Sequence, residues 1–316
     1  MKAELVRGLI NLKARHKQHV VTIGNFDGVH RGHQAVLSQT VAAARRLNTQ
    51  SVAIIFEPQP NEYFSETKTK ARLSRLREKY TAISQCGIDI ILCLRFNAQI
   101  ATLNAQAFIQ HILVDALQVK HIVIGDDFRF GYDREGNYTL LVQFGLNGNY
   151  TVENTQTFSH TGLQTTRISS TLIRAALAEG DLVLAEQLLG RPFSLFGRVG
   201  HGDKRGRIIG FPTANLYLHR KVTPIRGVYA VKVYGLDIEP IFGVANIGNR
   251  PTVDGQGRTL LEAHLFDFNQ EIYGHYLRVD FIHKIRDEQR YESFDALKAQ
   301  IFKDAATAKQ YFGIKS

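Results

Sequence analysis

Four apolar segments in the first half of the chain, separated from one another by helical patterns, limit the fold more than any other feature of this sequence. These segments are 19–23, 51–56, 88–94 and 121–124. None of them alternates apolar with polar residues, which is typical of strands in a parallel sheet whose two faces are both covered. The helical patterns between them lie at about 32–47, 71–85 and 104–116. The first half is therefore predicted to be a doubly wound α/β domain.

The second half of the chain follows a different pattern. A short helix beginning at Asp181 is predicted to end before Gly190 and Pro192, which together stop a helix and mark a domain boundary. Strand-like segments with turn signals between them follow at 228–234, 241–247, 260–268 and 276–285. A last helical pattern covers 293–312. We predict a small antiparallel β-barrel with a C-terminal helix, a sandwich being the alternative, and domains of residues 1–188 and 189–316.

The net charge of the 316-residue chain is +10, from 39 Lys and Arg against 29 Asp and Glu. A basic balance is typical of nucleic-acid-binding proteins, so a β-barrel that binds RNA is one hypothesis. The excess is spread over both halves, however, without a block of five like charges, and no run of aromatic residues alternates with the basic ones. We therefore expect small phosphorylated ligands and no nucleic-acid partner.

The sequence also indicates the compartment. Charged residues interrupt every apolar run near the amino terminus, so we expect no signal peptide. No stretch approaches the roughly 18 apolar residues of a membrane helix, so we expect no membrane partner. The two cysteines, Cys86 and Cys93, lie among apolar residues and are predicted to be reduced core thiols. These observations predict a cytoplasmic protein.

The segment from Gly24 to His33 lies between the first predicted strand and helix, where open parallel sheets bind ligands. Glycines at 24, 28 and 32 would let a phosphate approach the backbone at a helix amino terminus, which attracts anions. His30 and His33 lie on one helical face and can donate hydrogen bonds to charge developing on a phosphoryl group. A polar helix start is the alternative. The chain contains no Gly-Lys dipeptide, which excludes a Walker A loop.

A second cluster, at 167–174, is also predicted to open a helix. It contains Ser169, Ser170, Thr171 and Arg174. Serine and threonine often cap helices, so an N-cap is the simpler interpretation. Three hydroxyls and two arginines beside a helix amino terminus would instead form a second phosphate-binding cluster.

Aromatic and acidic residues follow two of the predicted strands. Asp127 and Phe128 come directly after the fourth strand, where they could form a simple turn. They could also form a platform that stacks on a planar ring and contacts it through a carboxylate. Phe56, at the end of the second strand, would line the same pocket.

The second half has its own candidate site. Five glycines lie between 197 and 210, in a segment that could be a bulged hairpin or a loop that closes over phosphates. Thr213 and Asn215 would face the same way in an extended segment, and a hydroxyl with an amide oxygen suits Mg²⁺. Glu262 is a carboxylate on a largely apolar strand, either at a solvent-facing edge or as a general base.

Together the two phosphate-binding clusters of the first half resemble the HxGH-type and serine-containing motifs of nucleotidylyltransferases. From about Val20 to Phe312 the chain resembles the prokaryotic bifunctional FAD synthetases, in which a riboflavin kinase is joined to an FMN adenylyltransferase. The most specific parts of the resemblance are 24–33, 125–131, 168–189, 210–215 and 246–252. Gln59 and Val253 depart from it, because the family often has His and Phe there.

The resemblance implies that riboflavin and ATP give FMN, and that FMN and ATP give FAD and pyrophosphate, with Mg²⁺ as cofactor. His30 and His33 would stabilise the transition state of adenylyl transfer, and Glu262 would take the proton from the ribityl 5′-hydroxyl. The residues implied in binding ATP at the adenylyltransferase site are Gly24, Phe26, Asp27, Gly28, Gly32, Ser169, Ser170, Thr171 and Arg174.

The remaining implied contacts are those to the flavin and to the ATP of the kinase. The flavin would contact Phe56, Asp127 and Phe128. The kinase would bind ATP through Gly206, Gly210, Phe211 and Pro212, with Mg²⁺ on Thr213 and Asn215. The first half alone would equally fit a nucleotidylyltransferase acting on another phosphorylated small molecule, and only the second half argues for a flavin.

Overall fold

The computed structural model describes residues 2–65, 70–155, 167–201, 211–220, 222–250 and 258–315. Two compact units make up the chain. The first consists of Met1–Lys70 and Ser74–Ser170, and the second of Ala71–Leu73 and Thr171–Ser316.

A six-stranded parallel sheet forms the centre of the first unit, as the apolar segments predicted. Its strands are β1 (Glu4–Arg7), β2 (Val20–Ile23), β3 (Ser51–Glu57), β4 (Ile90–Arg95), β5 (His121–Gly125) and β6 (Thr151–Thr155). They lie in the order β1-β4-β3-β2-β5-β6, and every neighbouring pair is parallel. The order reverses direction at β2, which lies between β3 and β5, so that its carboxyl end is the expected place for a ligand.

Helices cover both faces of this sheet. They are α1 (Arg31–Arg46), α2 (Pro60–Tyr63), α3 (Leu76–Gln85), α4 (Ala98–Ala101), α5 (Ala105–Phe108) and α6 (Tyr138–Gly148), with a π-helical stretch at Ile109–Ala116 and 3₁₀ turns at Leu9–Asn11, Ala14–His16 and Tyr132–Arg134. Successive strand residues face different apolar clusters, as Ile54 and Ile55 do, and both are fully buried. This double burial explains why the strands do not alternate with polar residues. The doubly wound α/β fold is confirmed.

One predicted helix begins later than its pattern indicated. A helix was expected from residue 71, but α3 begins at Leu76. The backbone N–H of Ser74 donates to Asp27 instead of to a helical carbonyl, at 2.9 Å. Glu78 then accepts from the backbone N–H of Arg75 at 2.7 Å, which closes the first turn of α3.

The second unit begins with two helices, α7 (Ser170–Glu179, whose first residue belongs to the first unit) and α8 (Leu182–Leu189). Six antiparallel strands then close into a barrel in the order β10-β11-β8-β7-β12-β9, which confirms the barrel over the sandwich. The strands are β7 (Phe193–Gly200), β8 (Ala214–Tyr217), β9 (Gly227–Tyr234), β10 (Ile241–Arg250), β11 (Arg258–Leu265) and β12 (Tyr276–Arg286). The C-terminal helix α9 (Phe294–Phe312) packs on β9, β10 and β12.

The helix α8 packs against β7 and β12. Its residues Leu182, Ala185, Leu188 and Leu189 are buried. The domain boundary between residues 188 and 189 stays a prediction, since α7 and α8 group with the barrel. Among the described residues, no helix is both long and apolar enough to span a membrane.

Candidate active sites

The loop between β2 and α1 presents the first candidate site at the carboxyl edge of the sheet. Phe26, Gly28 and Val29 have left-handed backbone conformations, with φ of 45°, 82° and 43°. His30 then caps α1, because its Nδ1 accepts the backbone N–H of His33 at 3.3 Å. The predicted strand-loop-helix context is therefore present, with both histidines at a helix amino terminus.

The two histidines stack on each other. Their ring centroids are 3.6 Å apart with an interplanar angle of 15°, and Phe26 meets the His33 ring edge-on at 5.3 Å. Burial is the main cause that holds the pKa of His33 well below its usual value, and the nearby His30, Lys79 and Arg167 lower it further. The Nδ1 atom of His33 is buried and has no hydrogen-bond partner in the described part of the chain. We therefore assign His33 as a neutral imidazole with its proton on Nε2.

The glycines of this loop make room for rings of the site itself. A Cβ on Gly24 would lie 3.1 Å from the Phe26 ring, and one on Gly32 would lie 3.3 Å from the His30 ring. Both contacts are tighter than ordinary packing allows. Glycine at positions 24 and 32 therefore leaves room for the rings of Phe26 and His30. The sequence motif alone did not reveal this packing role.

Asp27 is engaged within the protein. Its carboxylate accepts hydrogen bonds from the backbone N–H and the hydroxyl of Ser74, at 2.9 and 3.3 Å. Its carbonyl accepts from the Ser170 hydroxyl at 2.9 Å. The structure thus brings Ser170 to the loop of Gly28, as expected for two clusters that hold one ligand. The sequence analysis did not find Ser74.

The cluster at 167–174, which we call the serine cluster, has members in both units. Ser169 belongs to the first unit, whereas Thr171 and Arg174 belong to the second. Arg174 donates from Nε to the carbonyl of Ala71 at 2.6 Å, so part of its guanidinium group supports the segment at 71–73. Their predicted roles in binding ATP stay predictions.

A chain of aromatic rings follows the carboxyl edge of the sheet. Phe128 stacks on Phe130 at 5.5 Å, and Phe130 contacts Phe108 at 5.4 Å. Phe108 contacts Phe56 at 6.4 Å, and Phe56 contacts Phe96 at 5.8 Å. We call these rings the aromatic wall, and the predicted residues Phe56 and Phe128 are two of its members. Such a wall can receive a planar ring.

Further members of this wall were missed. Phe96 directly follows β4, and Phe56 lies one residue before the end of β3, so the shared edge of parallel strands was the signal that could have found Phe96. Tyr63 and Phe64 contact Phe96 at 5.4 and 5.7 Å, and Phe64 is 64% exposed. Tyr63 and Phe64 contact each other and together form an exposed apolar patch, and such patches can mark a ligand-binding groove.

Two other residues near the wall bear on the predicted contacts. Asp127 forms an ion pair with Arg167, which also lies 3.7 Å from Asp126. The carboxylate of Asp127 is therefore paired with an arginine of the serine cluster. Gln59, which departs from the family pattern, is buried, and its Nε2 has no hydrogen-bond partner among the described residues.

The second candidate site lies on the barrel. Glu262 is directly opposite Asn215 of β8 and, on its other side, Asn246 of β10. Directly opposite residues of antiparallel strands point to the same face. The neighbours Leu261 and Ala263 are fully buried, so half-buried Glu262 lies on the other face of β11. A closed barrel has no edge strand, and Glu262 is therefore not an edge residue.

The segment before β8 is fixed by a histidine that the sequence analysis missed. The ring of His264 stacks on Phe211 at 3.6 Å, and its Nδ1–H donates to the carbonyl of Pro212 at 2.8 Å. Burial lowers the pKa of His264. These contacts hold Phe211 and Pro212 directly before Thr213. Gly206, Gly210 and Val253 lie outside the described residues.

Asn215 offers an oxygen that fits a divalent cation. The residue is 8% exposed, and its Oδ1 is buried without a hydrogen-bond partner among the described residues. A buried amide oxygen that accepts no hydrogen bond costs free energy unless a bound ligand interacts with it. In the described part of the chain, no three His, Cys, Asp or Glu side chains converge as a metal site. Amide and hydroxyl oxygens completed by nucleotide phosphates would suit Mg²⁺.

Comparisons with known proteins agree with this two-site arrangement. The family model described as FAD synthetase matches residues 12–172, and the one described as riboflavin kinase matches 189–312. A crystal structure titled a macrolide-efflux protein from Streptococcus pneumoniae has a TM-score of 0.81 and 31% identity, covering 96% of this chain and 97% of that chain.

Curated relatives extend over nearly the whole chain. The bifunctional riboflavin kinase/FMN adenylyltransferase of Escherichia coli K12 is 51% identical over 312 residues, covering 98% of each chain. The protein of the same name from Haemophilus influenzae is 49% identical over 309 residues, covering 98% of this chain and 99% of its own. The resemblance seen in the sequence is confirmed. With both family models matched in tandem, this chain belongs to the bifunctional riboflavin kinase/FMN adenylyltransferase family.

Proposed function

We propose that this chain makes FMN from riboflavin and ATP at the barrel, and then FAD from FMN and ATP at the parallel sheet. The observation that best supports the proposal is the pairing of Glu262 with Asn215, whose buried oxygen has no partner among the described residues. A carboxylate beside an oxygen suited to a cation is what phosphorylation of an alcohol by ATP requires. The stacked histidine pair at the amino terminus of α1 supports the second reaction.

In the kinase reaction, Glu262 takes the proton from the ribityl 5′-hydroxyl of riboflavin. The resulting oxygen forms a bond to the γ-phosphorus of ATP, and the bond from that phosphorus to the β,γ-bridging oxygen breaks, releasing ADP. Thr213 and Asn215 would hold Mg²⁺, which would neutralise charge on the phosphates. His264 acts indirectly, because it fixes the segment that ends in Thr213.

In the adenylyl transfer, an oxygen of the FMN phosphate attacks the α-phosphorus of ATP, and the bond to the departing pyrophosphate breaks. No protein nucleophile or base is needed, because the attacking phosphate is already anionic. Neutral His33 donates from Nε2 to a phosphoryl oxygen on which negative charge grows. His30 carries its own proton on Nε2, because its Nδ1 accepts from the backbone N–H of His33, and it can donate in the same direction.

The aromatic wall supplies a site for the isoalloxazine ring of FMN. Its exposed members, Tyr63 and Phe64, would be covered by the ring, and Phe128 would stack at the other end. The ion pair of Asp127 with Arg167 joins this end of the wall to the serine cluster. We assign ATP to the loop between β2 and α1 and to Ser169 and Ser170, because the Ser170 hydroxyl donates to the carbonyl of Asp27.

A product analysis tests the proposal. The purified chain is incubated with riboflavin, ATP and Mg²⁺, and samples are separated by chromatography over time. We expect FMN first and FAD later, and FAD with pyrophosphate when FMN alone is supplied. Formation of FMN without FAD would contradict the adenylyltransferase assignment, and a preference for another phosphorylated acceptor would support the alternative nucleotidylyltransferase.

The expectations of a cytoplasmic location and of no nucleic-acid partner stay predictions. A filter-binding titration with RNA checks the second of them.

A further inference from the structure

Four hydrogen bonds, three of them made by Ser74, connect three parts of the adenylyltransferase site, and we call them the Ser74 network. The backbone N–H and hydroxyl of Ser74 donate to Oδ1 of Asp27 at 2.9 and 3.3 Å. The Oγ of Ser74 accepts the backbone N–H of Gly28 at 2.9 Å. The Ser170 hydroxyl donates to the carbonyl of Asp27 at 2.9 Å. The network thus joins the loop between β2 and α1, the segment before α3 and the start of α7.

The network is shielded from water. Ser74 is 4% exposed and Asp27 is 3% exposed. Because the Ser74 hydroxyl both donates and accepts, an alanine would remove the acceptor of one buried N–H and a donor to one buried carboxylate. The loss of buried hydrogen bonds is costly, and the loop would shift to regain them.

The loop that the network holds is strained. Phe26 and Val29 have φ of 45° and 43°, in the left-handed region that residues with a Cβ, and β-branched residues above all, seldom adopt. Strained backbone persists only when surrounding contacts determine it. The Ser74 network fixes Asp27 and Gly28, the two residues between these positions, and His30 follows directly as the N-cap of α1.

We propose that Ser74 is a positioning residue for adenylyl transfer. By holding Asp27 and Gly28 it sets the position of His30 and, through the stack and the N-cap hydrogen bond, of His33. The proposal rests on the role that we assign to these histidines. Ser74 itself does not reach the reacting atoms, and its effect therefore depends on the geometry of the loop.

The first test replaces the hydroxyl in the full chain. With Ser74→Ala we expect kcat for FMN adenylylation at saturating ATP and FMN to fall about 10- to 100-fold, since displacements of about 1 Å can have effects of that size. Riboflavin phosphorylation by the same protein should stay at the parent rate, because its site is in the other unit. Ser74→Thr keeps the hydroxyl and should restore most of the adenylylation rate.

A matched control separates positioning from general stability. Ser84 is another buried serine, on α3, whose hydroxyl accepts the backbone N–H of Ala3 at 3.4 Å. Ser84→Ala should lower the melting temperature without lowering kcat for adenylylation. Equal losses of kcat in the two alanine variants would overturn the proposal, as would a parent rate in Ser74→Ala. If His33→Ala loses activity while Ser74→Ala does not, the role of the histidines stands and only the role of Ser74 is rejected.

Discussion

Glu262 of β11 and Asn215 of β8 face each other across an antiparallel pair, so the proposed base and the proposed metal ligand lie on one face of the barrel. The Cβ atoms of such a pair are about 4.5–5.5 Å apart. A substrate hydroxyl at the carboxylate would therefore be within a few ångströms of phosphates bound near the amide oxygen. Backbone pairing in the barrel, and not a mobile side chain, sets this separation.

Replacing Glu262 with glutamine tests the base. Glutamine has nearly the same shape and still hydrogen-bonds, but it cannot accept the proton. General-base contributions are about 10²–10⁴, so FMN formation by Glu262→Gln should slow by roughly that factor. Adenylylation of supplied FMN should continue at the parent rate, as measured in the same preparation by chromatography. Glu271→Gln, at an exposed position of the same unit, is the matched control. A parent rate of FMN formation in Glu262→Gln would show that Glu262 is structural.

Replacing Asn215 tests the metal ligand. Asn215→Ala removes the buried Oδ1, and the Mg²⁺ concentration for half-maximal FMN formation should rise about 10- to 100-fold, a loss typical of metal-site residues. Asn215→Asp keeps an oxygen at the same place and should require less Mg²⁺ than the alanine variant. Exposed Asn269→Ala controls for the loss of an amide. An unchanged Mg²⁺ titration in Asn215→Ala would remove Asn215 from the metal site.

Replacing His33 tests the proposed donor to the phosphoryl group. His33→Ala should slow adenylylation of FMN by about 10²–10³, as loss of other preorganised donors does. Riboflavin phosphorylation should be unaffected, since His33 belongs to the first unit. His111→Ala, an exposed histidine of that unit, should keep both rates. Equal losses in the two half-reactions of His33→Ala would indicate misfolding and would end the assignment.

The low pKa of His33 predicts how stability changes with pH. Burial keeps the folded imidazole neutral, whereas the unfolded one takes up a proton near its ordinary value of about 6.5. Below that pH the unfolded state binds the extra proton, so acidification lowers the free energy of unfolding. Urea unfolding followed by circular dichroism at pH 7.5 and 5.5 should show this loss, and His33→Gln should show less of it. The same loss in both proteins would mean that His33 titrates normally when folded.

Sequence patterns predicted the strands that the fold buries on both faces, and missed those at its margins. The segments of β2 to β5 are apolar throughout, because helices cover both sides. The two edge strands of the sheet, β1 and β6, contain Glu4 and Thr151, and so lack a continuous apolar run. In the barrel, Gly197 and Gly200 suggested a loop, although Phe193, Leu195 and Val199 alternate as a half-buried strand does.

The candidate sites divide in a similar way. His30 and His33 could be predicted because their spacing and their place before a helix are local features. Ser74 could not, because it meets Asp27 across 47 positions of the chain, and no local pattern marks such a contact. Likewise, the Asn215 and Glu262 pairing depends on the register of β8 and β11, which closure of the barrel determines.

Two fragments test the domain boundary, starting from the buried face of α8. We expect residues 189–316 to phosphorylate riboflavin unaided, as the predicted boundary implies. Residues 171–316 retain α8, whose Leu182 and Leu188 are buried where the helix packs on β7 and β12. Burying two leucines stabilises by about 3–6 kcal/mol, so the longer fragment should unfold at a clearly higher urea concentration. Equal stability would mean that α8 contributes nothing to the barrel. A folded shorter fragment that makes no FMN, beside an active longer one, would move the boundary to the start of α7.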